Sequence, residues 1–196
     1  MFRGQLKSIF GRTASSLWGR AFLFAGAYFL CAEAGRLISP SGDTSVRFWL
    51  PAGLYVAVLL MQEHRAWVGL MLAAAGANCG FDLLHGTDWR LVGFFCAANA
   101  LQAGLGAWLV QTLVTKQPSF ATIKEFFSVL GLAGLVATLP GALLGAGALY
   151  LADPKVSFLE SCKTWWGGCA MAVLLFTPLV LTWWQRQPVA NPALPR

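Results

Sequence analysis

The side chains of this chain that could do chemistry are a few amides and carboxylates set within long apolar stretches. Asn99 and Gln102 share one predicted helix face with Phe95 and Gly106, at i+4, i+7 and i+11 from Phe95. An amide in an apolar medium requires a hydrogen-bond partner, so we expect this face to point inward. Two interpretations stay open, a hydrogen bond between helices and a small binding pocket.

A second polar row begins with Asn78 and Asp82 at i, i+4 and continues at three-residue intervals through His85 and Asp88. Carboxylate and imidazole groups are metal ligands in many proteins. The third of these ligands, however, lies past the predicted helix end, where solvated loops collect such residues. The sequence therefore predicts no metal site, and no other pattern in it predicts a cofactor.

No catalytic constellation is present in the sequence. His64 and His85 lie in different predicted loops, no Ser or Cys has a neighbouring base, and phosphate-loop and dinucleotide fingerprints are absent. We therefore expect no enzymatic activity from this chain, and any output enzyme would be a separate or missing domain.

The five cysteines show neither a CxxC motif nor a zinc-like spacing with His. Four of them fall inside predicted helices, where Cys behaves as a small apolar residue, so we expect neither a disulfide framework nor a structural metal. They are Cys31, Cys79, Cys96, Cys162 and Cys169.

The elements that must position these residues are membrane helices. Hydrophobic residues make up 57% of the chain and charged residues 11%, a balance that a water-soluble domain of this length would struggle to maintain. The fold class predicted is an all-α polytopic bundle of about six spanning helices. The spans are expected at 18–38, 48–61, 66–84, 91–114, 126–151 and 164–184, and the second is short enough to be either a short helix or a re-entrant element.

The distribution of charge predicts the orientation of the bundle. With a cytoplasmic start, nine Lys and Arg residues lie inside and five outside, as the positive-inside rule requires, so both termini are expected in the cytoplasm. The basic residues behind the net charge of +6 therefore lie at the ends of membrane spans and form no single patch, so we expect no nucleic-acid binding. Glu33 and Arg36 are expected to pair at the outer end of the first helix.

Three regions follow from this organisation. Residues 1–20 read as a basic amphipathic segment along the inner membrane surface, residues 21–185 as the helical bundle, and residues 186–196 as a polar, proline-containing tail or linker. Within the bundle, Gly141 and Gly145 form a GxxxG motif that suits close packing of helices or a homodimer. Pro140 and Pro178 each remove an intrahelical hydrogen bond and are candidate hinges.

Three segments carry a family resemblance: FWLPAGLYVAVLLM at 48–61, AANALQAGLGAWLV at 97–110 and TWWGGCAMAVLLFTPLVLTWW at 164–184. In that order they resemble the bacterial membrane-associated sensor domain of the first class, a MASE-type integral membrane sensory domain. The likeness covers about residues 28–184. It implies a multi-pass signal-input module of the bacterial inner membrane, whose partner is a cytoplasmic histidine kinase or cyclic-di-GMP enzyme.

The resemblance also directs attention to particular residues. Cys169 stands where the family's late motif usually has an Asp, and Gln102 where the fourth-helix motif usually has a Glu, so this chain replaces two acids with neutral side chains. A small-molecule ligand or a change in the surrounding lipid would then be detected differently or not at all. The candidate sensing or packing residues are Trp49, Pro51, Asn78, Asp82, Asn99, Gln102 and Trp166.

Two other functions remain open at this point. Six apolar helices in so short a chain also suit a small-solute-binding membrane subunit of a transporter, and few central charges are needed for that. A ligand-free membrane scaffold is the third possibility, favoured if the amides bond only one another.

Overall fold

The structure, a computed structural model, describes residues 17–38, 48–116, 118, 120 and 122–185, and within them it is 86% helical with no strand. The all-α, multi-pass bundle expected from the sequence is confirmed, whereas the side of the membrane on which the termini lie stays a prediction. Most of the basic segment 1–20 and the whole of the tail 186–196 fall outside the described residues. The helices are α1 (Leu17–Ile38), α2 (Leu50–Leu60), α3 (His64–Leu84), α4 (Trp89–Leu113), α5 (Ile123–Val129), α6 (Thr138–Ala152) and α7 (Phe158–Gln185), with a π-helical segment (Leu130–Val136) between α5 and α6.

Five helical stretches are long and apolar enough to cross a membrane. They are Trp18–Ile38, His64–Leu84, Trp89–Leu113, Ile123–Ala152 and Phe158–Trp184. Their outward surface is apolar, since Trp18, Phe22 and Leu151 are each 81% exposed. Because a soluble protein rarely exposes so much contiguous apolar surface, these faces fit lipid contact.

Helix α2 is the exception in length and lies at the centre of the bundle. It has 11 residues, ten of them buried, and packs against α1, α3, α4 and α7. At about 1.5 Å per residue it extends only about 17 Å, short of the roughly 30 Å of a hydrocarbon layer. Pro51 lies in its first turn, where a missing N–H leaves no hydrogen bond unmade.

Side-chain contacts fix which helix ends lie together. At one end, Arg20 at the start of α1 donates to Gln62 Oε1 after α2 at 3.1 Å, and His64 at the start of α3 lies 2.7 Å from Gln111 near the end of α4. At the other end, Glu33 of α1 lies 3.2 Å from His85 after α3. The Arg20 end and the Glu33 end are therefore opposite ends of one bundle.

The helix of the fifth predicted span is interrupted by a π-helical segment that lies before its proline. The segment Leu130–Val136 widens to π-helical turns, and α6 begins afresh at Thr138. Pro140 falls in the first turn of α6, so it is compatible with helix there. Thr138 Oγ1 donates to the carbonyl of Gly134 at 2.6 Å, which satisfies one of the carbonyls beside the interruption.

The GxxxG glycines allow close packing within the chain. A Cβ at Gly141 would lie 2.8 Å from the Ala98 carbonyl oxygen of α4, and a Cβ at Gly145 would lie 2.7 Å from the Trp165 ring of α7. Both distances are shorter than real Cβ contacts, so α6 approaches its neighbours through these glycines. Of the alternatives left open by the motif, the structure uses these glycines for bundle packing.

Candidate sensing site

The buried amides form a connected set of hydrogen bonds across the bundle. Asn78 of α3 is the junction, because its Oδ1 accepts from the Tyr28 hydroxyl of α1 at 2.8 Å and from Asn99 Nδ2 of α4 at 3.0 Å. Its own Nδ2 donates to Asp82 Oδ2, one turn further along α3, at 2.6 Å. A single side chain thus connects three helices.

The set continues from α4 to α7. Gln102 Nε2 donates to Asn99 Oδ1 at 3.1 Å and lies 3.4 Å from Cys169 Sγ. Gln102 and Cys169 are the two positions at which this chain departs from the resembling family, and the structure places them in contact. We call the connected residues the polar chain; its members are Tyr28, Asn78, Asp82, Asn99, Gln102 and Cys169.

The polar chain is shielded from the surroundings of the bundle. Its least buried member, Asp82, is 6% exposed. Hydrogen bonds are electrostatically stronger in so apolar an interior than in water, and an unpaired polar group is correspondingly costly. The polar chain therefore specifies how α1, α3, α4 and α7 sit against one another.

Four buried polar side-chain atoms have no hydrogen-bond partner among the described residues, the indole nitrogens of Trp49 and Trp165, Oε1 of Gln102 and the hydroxyl of Tyr55 on α2. Two of them, Gln102 Oε1 and the Tyr55 hydroxyl, are able to accept a hydrogen bond. Both side chains are almost fully buried, at 1% and 2% exposed. Because buried polar atoms are normally paired, each has the capacity to accept a hydrogen bond from a water or a polar ligand group.

The aromatic and proline candidates occupy different places. Trp49 packs edge-on against Tyr28 and Phe81, with ring centroids 6.5 and 5.5 Å away, so it borders the polar chain. Pro51 lies two residues beyond it, in the first turn of α2. Trp166 is 36% exposed and donates to the Leu135 carbonyl of the π-helical segment at 3.0 Å, apart from the amides.

His85 and Asp88, which continue the polar row at the end of α3, make contacts with different partners and do not converge on one site. His85 Nδ1 lies 2.8 Å from the Phe81 carbonyl oxygen, while its Nε2 faces Glu33, which also pairs with Arg36 at 3.0 Å as expected. Asp88 instead caps α4 by accepting from the Arg90 N–H. In the part of the chain that the structure describes, no cluster of three His, Cys, Asp or Glu side chains could hold a metal ion.

The second hinge candidate lies beside a fixed contact between α2 and α7. Pro178 is inside α7, where it removes the hydrogen bond that Leu174 would accept. The preceding residue, Thr177, is fully buried and its Oγ1 donates to the Gly53 carbonyl of α2 at 2.9 Å. A proline directly follows the anchored residue.

Sequence reasoning missed one member of the polar chain altogether. Tyr28 gave no signal, because a tyrosine in a span near its middle is also compatible with simple packing. Cys169 was a candidate only because it stands where the resembling family usually has an Asp. Its contact with Gln102 joins residues 67 positions apart, and no periodicity within one helix predicts such a contact.

The multi-pass bundle of apolar helices defines the chain as an integral membrane protein, held together inside by the polar chain. A comparison with protein families identifies the family of this membrane protein. The family model of MASE1, a membrane-associated sensor domain, matches residues 20–190. The chain belongs to this family and is an integral membrane sensory domain in signalling. Comparisons with curated proteins and with solved structures found no match.

Proposed function

We propose that this chain detects a stimulus within the membrane and relays it to a cytoplasmic output domain or partner, a histidine kinase or a cyclic-di-GMP enzyme. The observation that carries the proposal is the polar chain, which runs from α1 through α3 and α4 to Cys169 on α7. Helix α7 is the last helix among the described residues and leads toward residues 186–196. A rearrangement of the amides is thereby linked to the helix nearest the C-terminal end.

For such a relay, the bundle needs two arrangements that differ in affinity for the stimulus, since a ligand that binds both equally shifts nothing. The polar chain supplies a basis for two arrangements. Gln102 Oε1 and the Tyr55 hydroxyl have no partner among the described residues, so a ligand with polar groups would gain hydrogen bonds there without breaking existing ones. A small neutral ligand with a donor group fits this chemistry.

The relay step is assigned to α7 beyond Pro178. Thr177 holds α7 to the Gly53 carbonyl of α2. Because the next residue, Pro178, removes a helical hydrogen bond, we expect α7 to move on the C-terminal side of this contact. Both termini in the cytoplasm would place that moving end next to an output domain.

The experiment joins the C-terminal end of the chain to a diguanylate cyclase domain that has no sensor of its own, and measures cyclic-di-GMP in cells. Pro178→Ala restores the missing hydrogen bond and is expected to change cyclic-di-GMP output at least severalfold. The matched control is Leu179→Ala, next to it on the same helix, 54% exposed, for which output should stay at the level of the unchanged fusion. Equal output from all three fusions would contradict the hinge.

One observation favours a second candidate function, the ligand-free scaffold. The amide nitrogens of Asn78, Asn99 and Gln102 all donate to protein acceptors, as a purely structural network would require. Thermal unfolding in mild detergent, with the small molecules that co-purify added back, separates the two functions. A ligand raises the unfolding midpoint of a sensor by an amount that grows with the logarithm of its concentration once the site is mostly occupied, and leaves that of a scaffold unchanged.

A further inference from the structure

Two cysteine side chains lie together at the junction of α3 and α4. Cys79 Sγ of α3 is 3.3 Å from Cys96 Sγ of α4, close enough for one thiol to donate a hydrogen bond to the other. Cys96 Sγ is also 3.6 Å from the Ala75 carbonyl oxygen, which holds it on the side of α3. Both cysteines are free thiols in the structure.

The separation is close to that of a disulfide. An S–S bond is about 2.0 Å long, so the two sulfur atoms need to approach by only about 1.3 Å. The helices that carry them pack against each other and are joined by the short loop at 85–88. The two sulfur atoms therefore start within a small movement of bonding distance, on helices that are already in contact.

The pair is also reachable from outside the bundle. Cys79 and Cys96 are both partly exposed, whereas Cys162 and Cys169 are buried. They lie five residues before the end of α3 and seven after the start of α4, which is about 8 and 10 Å from the helix ends. At this depth a small uncharged oxidant reaches them readily, while a charged one would have to lose its hydration.

We propose that Cys79 and Cys96 form a redox modification site that is oxidised to a disulfide by a neutral peroxide. One thiol loses its proton and its sulfur attacks a peroxide oxygen; the O–O bond breaks, and the departing hydroxide takes up the proton to give water and a sulfenic acid. The second sulfur then attacks the first, the S–O bond breaks, and the released hydroxide takes the second thiol proton. Two sulfurs are oxidised, the two peroxide oxygens are reduced, and two waters form.

The bond would fasten two helices beside the polar chain. Cys79 follows Asn78 directly, and Cys96 lies three residues before Asn99, the partner of Asn78 at 3.0 Å. Oxidation thus fixes α3 against α4 at the level of this amide pair. The modification itself is independent of the proposed relay, so either can fail without the other.

The test uses the full chain in bacterial membrane vesicles treated with hydrogen peroxide. After quenching, free thiols are blocked with N-ethylmaleimide and the chain is digested and analysed by mass spectrometry. We expect a peptide in which Cys79 and Cys96 are joined with the loss of two hydrogen atoms, and its disappearance on treatment with a thiol reductant. If neither residue is joined to the other at any peroxide exposure, or if the oxidised product is a sulfinic acid alone, the proposal is wrong.

Substitutions check the assignment with a gel readout. Blocking, reducing and then labelling with a polymer-linked maleimide adds two labels to oxidised wild type. Cys79→Ser and Cys96→Ser should each lose both labels, whereas the matched control Cys162→Ser, on the same side of the bundle, should keep them. Labels that persist in both test variants would show that other cysteines pair, and would overturn the assignment; the wild-type mass measurement requires no variant to fold.

Discussion

Replacing Gly53 with alanine is expected to push helices α2 and α7 apart. A Cβ at this position would lie 2.3 Å from the Ala172 carbonyl oxygen and 2.8 Å from the Phe176 Cβ. Neither atom can rotate away, because one belongs to the backbone and the other is fixed to it. The added methyl group is therefore accommodated only by movement of a whole helix.

The size of the effect follows from these distances. Ordinary contact begins at 3.4 Å, so the helices must separate by about 1.1 Å at this point. Overpacking of this kind costs about 1 to 3 kcal/mol. Loss of the hydrogen bond from Thr177 to the Gly53 carbonyl adds about 1 kcal/mol. Alanine returns about 1 kcal/mol through its greater helix propensity. The net expectation is a loss of about 1 to 3 kcal/mol in the free energy of unfolding.

The assay is reversible unfolding of the purified chain in detergent micelles, with Gly26→Ala as the matched control. Gly26 lies on an open face of α1, where a Cβ would meet nothing within 4 Å, so this variant should be as stable as wild type or up to about 1 kcal/mol more stable. If Gly53→Ala proves as stable as Gly26→Ala, the close approach of α2 to α7 is wrong, and with it the anchor assigned to Thr177.

The remaining predictions concern the polar chain and the orientation of the bundle. A double-mutant cycle of Tyr28→Phe and Asn78→Ala should give a coupling energy of about 0.6 kcal/mol and at most about 1.7, the range for hydrogen bonds between membrane helices; a coupling near zero would remove Tyr28 from the polar chain. Epitope tags at the two ends of the chain should be accessible from the cytoplasmic side alone, and tags found on opposite sides would contradict an even number of crossings.

Much of the helical framework could be predicted from the sequence, because apolar length is a strong signal in a membrane chain. The observed ends of α3 lie within two residues of the predicted span 66–84, and those of α4 within two of 91–114. In the fifth span the sequence predicts a candidate hinge at Pro140 but not the π-helical segment Leu130–Val136 that precedes it. In that segment the Gly134 and Leu135 carbonyls accept from the Thr138 hydroxyl and the Trp166 ring, contacts that the sequence pattern does not encode.

The candidate site could be predicted only within single helices. Spacing placed Asn99 with Gln102 and Asn78 with Asp82, and the structure buries all four. Which helix faces which is decided by tertiary packing, so the bond between Asn78 and Asn99 could not be derived from periodicity. The thiol pair illustrates the same limit, since Cys79 and Cys96 are 17 residues apart and match no cysteine motif.

The position of α2 decides which movements of α7 are open to a relay. Because Gly53 lies against Ala172 and accepts from Thr177, α7 cannot slide along α2 up to residue 177 without breaking a buried hydrogen bond and a tight backbone contact. Pro178 follows immediately, and beyond it Leu179, Trp183 and Trp184 are all more than half exposed. In the proposed relay, the polar chain meets α7 at Cys169, on the N-terminal side of the anchored Thr177, so a rearrangement there must move α2 and α7 together. The segment after Pro178 would then follow that movement, and Pro178→Ala tests whether the proline changes how the movement reaches the end of α7.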